Sequence, residues 1–318
     1  MNARFRCGIQ MFVSIVALCV AAAVSGAPAV AQSVPPDFSG YQRLLNDYLV
    51  LVSLPGAPLE TRVDYFKLHD SAGRAERMLS VRAALLAVTP ASLEPAQRRA
   101  WAINTYNFLV IDLATTHLIS RQVGVDMKAR GVMGIAHRSV RHMHIKGLGF
   151  FGVPVARIDG REYNLDQFER TFVFDTPALA AAGSKPKAPA RTLDPRAHFA
   201  LVCGAMGCPP LQPRAFLAES LDAQLDHATR DALANPKHLS WDPDLKRLAA
   251  SSVFSWHEAD FGGPAKAFEF AARHAPETLR AQIAAKPQPG IDRVLPWNWD
   301  LNAIPRKPQA PRAAPKAP

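Results

Sequence analysis

The chain has 318 residues, 20% of them charged, with a formal net charge of +10 and 4 cysteines. Six of those positive charges sit at the two ends, Arg4 and Arg6 in the first stretch and Arg306, Lys307, Arg312 and Lys316 in the last, which leaves +4 for the body. With so small a surplus and no interleaving of basic with aromatic residues, nucleic acid is excluded as an expected partner, and no window beyond the first thirty or so residues is apolar for long enough to cross a bilayer.

Residues 1–31 read as a cleavable signal peptide. The start MNARFR is short and positive, the run from Cys7 to Val24 is apolar, and Ala29-Val30-Ala31 offers small residues for a cut after Ala31. Gly8, Gln10 and Ser14 interrupt the apolar run, which argues against a retained anchor, and Leu18 before Cys19 is wrong for lipoprotein processing. The expected location is periplasmic or secreted. Cleavage removes Cys7 and Cys19 and leaves Cys203 and Cys208, which in an oxidising compartment are either a disulfide or a guarded thiol. Residues 37–304 are expected to form one domain, with 181–192 (AAGSKPKAPART) as an exposed insertion loop and 305–318 as a disordered basic Pro/Ala tail.

Within the body, 97–121 (QRRAWAINTYNFLVIDLATTHLISR) lacks Pro and Gly and is apolar nearly all round in its middle, which predicts a long buried helix. Asn104 and Asn107 lie on one face of it. A buried amide left unpaired costs about 1 to 3 kcal/mol, so both must be hydrogen-bonded. Two roles stand open for them: tying down a neighbouring loop, or orienting a catalytic or ligand group. Next comes a basic stretch with His137, His142 and His144. His142 and His144 would share a face of an extended chain, but no carboxylate lies close, so a solvated loop is expected and no metal or cofactor is assigned.

The pieces VARI and REYN around Asp159-Gly160 predict a hairpin with a two-residue turn. Asn164 with Gln167 has the form of a capping box, opening a short helix that carries Leu165, Phe168 and Phe172 and leaves Glu169 beside the Phe168 face. HFALVC, 198–203, is a continuous apolar run after Asp194-Pro195-Arg196 and reads as a buried strand. A glycine-bearing turn, GAMGCPPL, follows, and then an amphipathic helix over 214–234 with Phe216, Leu217, Leu221, Leu225, Ala228 and Leu233 in its buried stripe.

A strand, a tight turn containing a cysteine and then a helix form an arrangement that can lower a thiol's pKa and make it nucleophilic. Cys203 is the candidate nucleophile and His198 the nearest candidate base. Their odd spacing puts them on opposite faces of a regular strand, so a direct pair needs a bulge, a bend or another base. Cys208, beyond Gly204 and Gly207, is freer to face back. The competing reading joins Cys203 to Cys208 as a disulfide across the same flexible loop, which would remove the nucleophile.

The blocks AWAINTYNFLVI, REYNLDQFERTFV, DPRAHFALVCGAMGCPPL, SSVFSWHEADF and VLPWNWDLN, in this order, resemble the successive blocks of the bacterial branch of domain of unknown function family 547, over about residues 37–303. The resemblance implies that Asn104, Asn107, Glu169, His198, Cys203 and Cys208 occupy the family's recurring polar positions; it implies no activity. Plant relatives keep a cysteine matching Cys203 but have serine in place of Cys208, which implies that Cys203 is the functional thiol. The insertion around Lys185 and the histidine-rich segment depart from the family pattern.

The expected fold is α+β, mostly helical around a small β-sheet, centred on the helix at 97–121 and the strand at 198–203. The leading functional expectation is a thiol-dependent hydrolase or acyltransferase of the cell envelope, with Cys203 as nucleophile, His198 or another histidine as base, and Asn104 or Asn107 orienting. The alternative is a non-catalytic envelope binding or assembly module bridged by a structural Cys203–Cys208 disulfide. The expected partner is an envelope substrate or protein.

Overall fold

The computed structural model describes residues 35–117, 139–175, 194–286 and 288–304. The expected signal peptide, the loop at 181–192, His137, residues 118–121 and the basic tail lie outside them. From Pro35 onward the residues belong to one unit of α+β class. Helices α1 (Ser39–Tyr48), α2 (Tyr65–Asp70) and α3 (Arg74–Leu86), with strands β1 (Leu49–Leu51) and β2 (Thr61–Val63), precede the central helix α4 (Pro95–His117). Short strands β3 (His144–Ile145) and β4 (Leu148–Gly149), the hairpin β5 (Pro154–Ile158) and β6 (Arg161–Asn164), and the four-residue α5 (Leu165–Phe168) come next. The C-terminal part holds α6 (Leu221–Ala234), β7 (Leu239–Asp242), β8 (Arg247–Ser251), α7 (Ser252–Trp256), α8 (Pro264–His274), α9 (Glu277–Ala284) and β9 (Arg293–Leu295). Among the described residues the strands form four small sheets: the antiparallel pairs β1–β2, β3–β4 and β5–β6, and a three-stranded β7–β8–β9 whose last two strands run parallel. No helix among them is long and apolar enough to cross a membrane.

The central helix is buried on every side, as its sequence requires. Each residue from Ala100 to Thr115 is buried. Its polar groups are paired accordingly: the Trp101 indole Nε1 donates to the Leu85 carbonyl at 2.7 Å. The Asp159-Gly160 turn also forms as expected, with φ of 49° and 79°, the pair of positive values that a type I′ hairpin needs. Asn164 and Gln167 complete a capping box at the start of α5.

The expected strand at 198–203 does not exist. Asp194 caps the segment by accepting from the Arg196 amide, Pro195 supplies the first-turn φ, and Pro195–Phe199 is a 3₁₀ turn. Residues 200–203 then run without a strand neighbour. Their backbone is served instead by α4: Asn107 Nδ2 donates to the Ala200 carbonyl, and the Val202 amide donates to Asn107 Oδ1, both at 2.9 Å. An apolar run demands burial, whereas a ladder needs a partner strand, and here one side-chain amide substitutes for it.

Helix α6 begins at Leu221, seven residues after the expected start, for a similar reason. The Ala215 amide donates to Gln42 Oε1 at 2.8 Å, and the Leu217 amide donates to Gln224 Oε1 at 2.7 Å. Between them, Asn104 clasps both the amide and the carbonyl of Phe216 at 2.9 and 2.8 Å. The backbone is thereby held out of the helix, and Leu217, expected in the buried stripe, is 39% exposed.

The last described segment closes over the cysteine turn. The Met206 amide donates to the Asp300 carbonyl at 2.7 Å, the Gly207 amide to Asn298 at 2.8 Å, and the Asn302 amide to Gly204 at 2.9 Å. Gly204 has a φ of +77°, and a Cβ on Gly207 would lie 2.8 Å from the Trp297 ring, so the approach depends on both glycines. Ala197, Ala200, Leu201 and Val202 pack into the hydrophobic cluster around α4, while Phe199 packs with Phe254 and Phe261 in a second cluster. His198 therefore sits at the seam between them.

Candidate active site

A cavity of about 640 Å³ lies at this seam, lined by Tyr106, Glu169, His198, Cys203, Cys208, His257 and Asp260, with Trp256, Trp297 and Trp299 forming an aromatic wall. Glu169 reaches it because the helix begun by α5 changes pitch. Residues Glu169–Val173 form a π-helical turn, closed by the Phe174 amide donating to the Glu169 carbonyl at 3.2 Å. Such a turn inserts one residue and re-aims its neighbours, and it recurs at functional sites. Phe168 and Phe172 anchor the turn against Trp101, with ring centroids 5.7 and 5.4 Å away. Glu169 is left to meet the Tyr106 hydroxyl, which hydrogen-bonds to it.

His198 is held more tightly. Its side chain is 3% exposed and its ring stacks between Phe174 and His257, with centroids 4.3 and 3.9 Å away. Asp260 lies in hydrogen-bonding contact with both histidines, its Oδ2 being 3.0 Å from His198 Nε2 and 3.5 Å from His257 Nδ1. His257 and Asp260 come from the turn that ends α7, where the Asp260 amide donates to the His257 carbonyl at 2.8 Å and sets the two side chains on one face.

The groups titrate in opposed directions. Burial pushes the Glu169 carboxyl above its ordinary range, only partly offset by His257 and the Tyr106 hydrogen bond. Asp260 also feels burial, but the hydrogen bonds from His198 and His257 outweigh it and hold the carboxyl well below the usual range. Burial lowers His198 to about 4 despite Asp260, so the ring is neutral at physiological pH. One ligand-type atom from each of Glu169, His198 and His257 lies within 4.8 Å of the other two, the one such three-residue group found among the described residues.

Cys203 and Cys208 are joined as a disulfide whose Cα atoms are 6.2 Å apart, a normal span. Cys208 is buried and Cys203 half-buried, and both line the cavity. In this state Cys203 offers no thiol. The opposite-face objection to a Cys203–His198 pair also falls away, because there is no strand to impose it. Asn104 and Asn107 are not among the cavity's lining residues; each is spent on a backbone clasp. His142 and His144 join no three-ligand group among the described residues.

The structure thus brings Glu169, His198, Cys203 and Cys208 together and leaves the two asparagines behind the wall. Sequence reasoning missed His257, Asp260, Tyr106 and the tryptophans. The three-residue spacing of His257 and Asp260 within SSVFSWHEADF was the available signal. Trp256, Trp297 and Trp299 were equally visible, but nothing local told that Trp256 would be 51% exposed beside the other two, with centroids 4.8 and 5.7 Å away.

No curated protein and no solved structure matches the chain. His257 and Asp260 lie beyond the one segment that a family model covers. Residues 90–232, which carry α4, Glu169, His198 and both cysteines, match the model of the family described as protein of unknown function, DUF547.

Proposed function

We propose that the protein is an exported hydrolase or acyltransferase of the cell envelope whose reaction centre is the Glu169–His198–His257–Asp260 cluster. The observation that carries this reading is the convergence of two carboxyls and two imidazoles in one cavity, with Asp260 Oδ2 3.0 Å from His198 Nε2 and 3.5 Å from His257 Nδ1; burial raises the Glu169 carboxyl while the histidines lower that of Asp260. Environments that push two such groups apart are how one site supplies an acid and a base at the same pH. Asp260 orients the histidines, His257 takes the proton of a water or acceptor hydroxyl as its oxygen bonds to the substrate's acyl carbon, Glu169 delivers a proton to the leaving group as its bond to that carbon breaks, and the aromatic wall accepts an apolar or ring-bearing substrate face. The disulfide shapes the floor beside them and suits an oxidising compartment.

A panel of chromogenic acyl esters, amides and glycosides assayed with oxidised protein tests the reading. Turnover by wild type should fall about 10²–10⁴-fold in Glu169→Gln and in His257→Ala, the usual range for loss of an acid–base group. Wild-type rates in both variants would sink it. A second reading, thiol-dependent catalysis by Cys203, draws on the position of that residue in the same cavity and requires the disulfide to open first.

A further inference from the structure

We propose that the Cys203–Cys208 bond is a thiol–disulfide exchange site, which passes its disulfide to a thiol entering the cavity, an activity separate from the acid–base chemistry beside it. The bond joins residues separated by only 5 in sequence. Stabilisation through chain entropy grows with ring size, so a ring this small contributes little to the fold by that route. The turn is also held without it. The amides of Met206, Gly207 and Cys208 donate to the carbonyls of Asp300, Asn298 and Ala205 at 2.7, 2.8 and 3.1 Å. The Gly204 carbonyl accepts from the Asn302 amide at 2.9 Å, and that of Met206 from Lys237 Nζ at 3.1 Å. On the other side Asn107 pins Ala200 and Val202. The backbone that carries both sulfurs therefore keeps its place when the bond opens, and the thiols stay within reach of each other for it to form again.

The two sulfurs are not equivalent. Both cysteines line the cavity, but Cys203 is half-buried whereas Cys208 is 4% exposed, so an entering thiolate meets Cys203 first. The Cys203 amide donates to Cys208 Sγ at 3.0 Å, and the sulfur that departs is thus the one with a hydrogen bond already in place. Burial alone would penalise a thiolate there; the amide offsets that penalty and makes Cys208 the better leaving group. In the first step a thiolate attacks Cys203 Sγ, a mixed disulfide forms, and the Cys203–Cys208 bond breaks with its electron pair leaving on Cys208 Sγ, which takes up a proton. In the second, another thiolate attacks the incoming group's sulfur, and Cys203 leaves and is protonated in turn. Two thiols are oxidised to one disulfide, and their two electrons and two protons reduce the bond of the protein. The thiol belongs to a small molecule or to a peptide cysteine. For a peptide, Trp256, 51% exposed on the same cavity, offers an apolar face to the residues beside the cysteine.

The test incubates the oxidised protein with millimolar reduced glutathione, quenches with acid and counts free thiols by alkylation and mass. The bond should open in the folded protein, with circular dichroism unchanged. Given oxidised glutathione, Cys208→Ser should capture one glutathione on Cys203 at least about 10-fold faster than Cys203→Ser captures one on Cys208. A short peptide with phenylalanine on both sides of its cysteine, compared with glutathione, separates the two sources: faster opening by the peptide assigns a peptide thiol, faster opening by glutathione a small one. A bond that opens only when urea unfolds the protein, a chain that unfolds once the bond is open, or faster capture at Cys208 than at Cys203 overturns the proposal. Each of these results leaves the acid–base reading of the cavity standing, because that reading is tested by the turnover of Glu169→Gln and not by the state of the cysteines.

Discussion

Asn107 shows how one buried amide can fix the geometry of a site it does not touch. Its side chain makes both hydrogen bonds that a neighbouring strand would have made to Ala200 and Val202, immediately before Cys203. Asn107→Ala leaves a buried carbonyl and a buried amide unpaired and should destabilise the fold by about 1–3 kcal/mol, read as a lower midpoint in urea unfolding at unchanged slope. A variant as stable as wild type would show that these backbone groups find other partners. The need for pairing at Asn104 and Asn107 was legible, because apolar surroundings and helical spacing are local properties. The partners were not, since each lies about a hundred residues away and is a backbone group that any sequence provides.

Among the elements, those held by local chemistry were readable and those held by distant contacts were not. The Asp159-Gly160 hairpin and the Asn164/Gln167 capping box each lie within a few residues and form as the sequence predicts. The strand expected at 198–203 and the early start of α6 failed because glutamine and asparagine side chains from elsewhere took the backbone hydrogen bonds that define an element. The C-terminal strap is the other long-range device, and Gly207 is where it presses closest. Gly207→Ala would place a methyl 2.8 Å from the Trp297 ring. We expect a loss of about 1–3 kcal/mol, as for overpacking elsewhere, together with a changed tryptophan emission from the wall of the cavity. Unchanged emission and stability would mean that the strap yields freely and does not hold Trp297 in place.

At the scale of the molecule, two buried histidines govern the acid limb of stability. Burial lowers His198 to about 4 and His238 to about 3; Lys237 adds to the shift at His238. An unfolded histidine takes up its proton near pH 6.5, so between that pH and the folded values the unfolded chain binds more protons. Stability should therefore hold above pH 6.5 and fall below it, by up to about 1.4 kcal/mol per pH unit for each histidine. Unfolding curves from pH 8 to 4.5 measure this slope, and His238→Phe should flatten part of it. Equal wild-type stability at pH 7.5 and pH 5 would contradict the burial of both rings. The same long-range assembly explains why only part of the site was visible beforehand. Glu169, His198 and the cysteines stood in recognisable blocks, but the convergence of His257 and Asp260 on them is a property of how α7 docks, not of any spacing along the chain.

Whether the imidazole–carboxylate cluster or the thiol carries the chemistry is decided most directly by turnover under controlled redox state. A chromogenic substrate found for the oxidised protein should be processed at the same rate before and after mild reduction, and within about 3-fold by a Cys203→Ser, Cys208→Ser double variant, while Glu169→Gln loses about 10²-fold or more. Activity that appears only after reduction and vanishes with Cys203→Ser would contradict the account and return the nucleophile to the thiol.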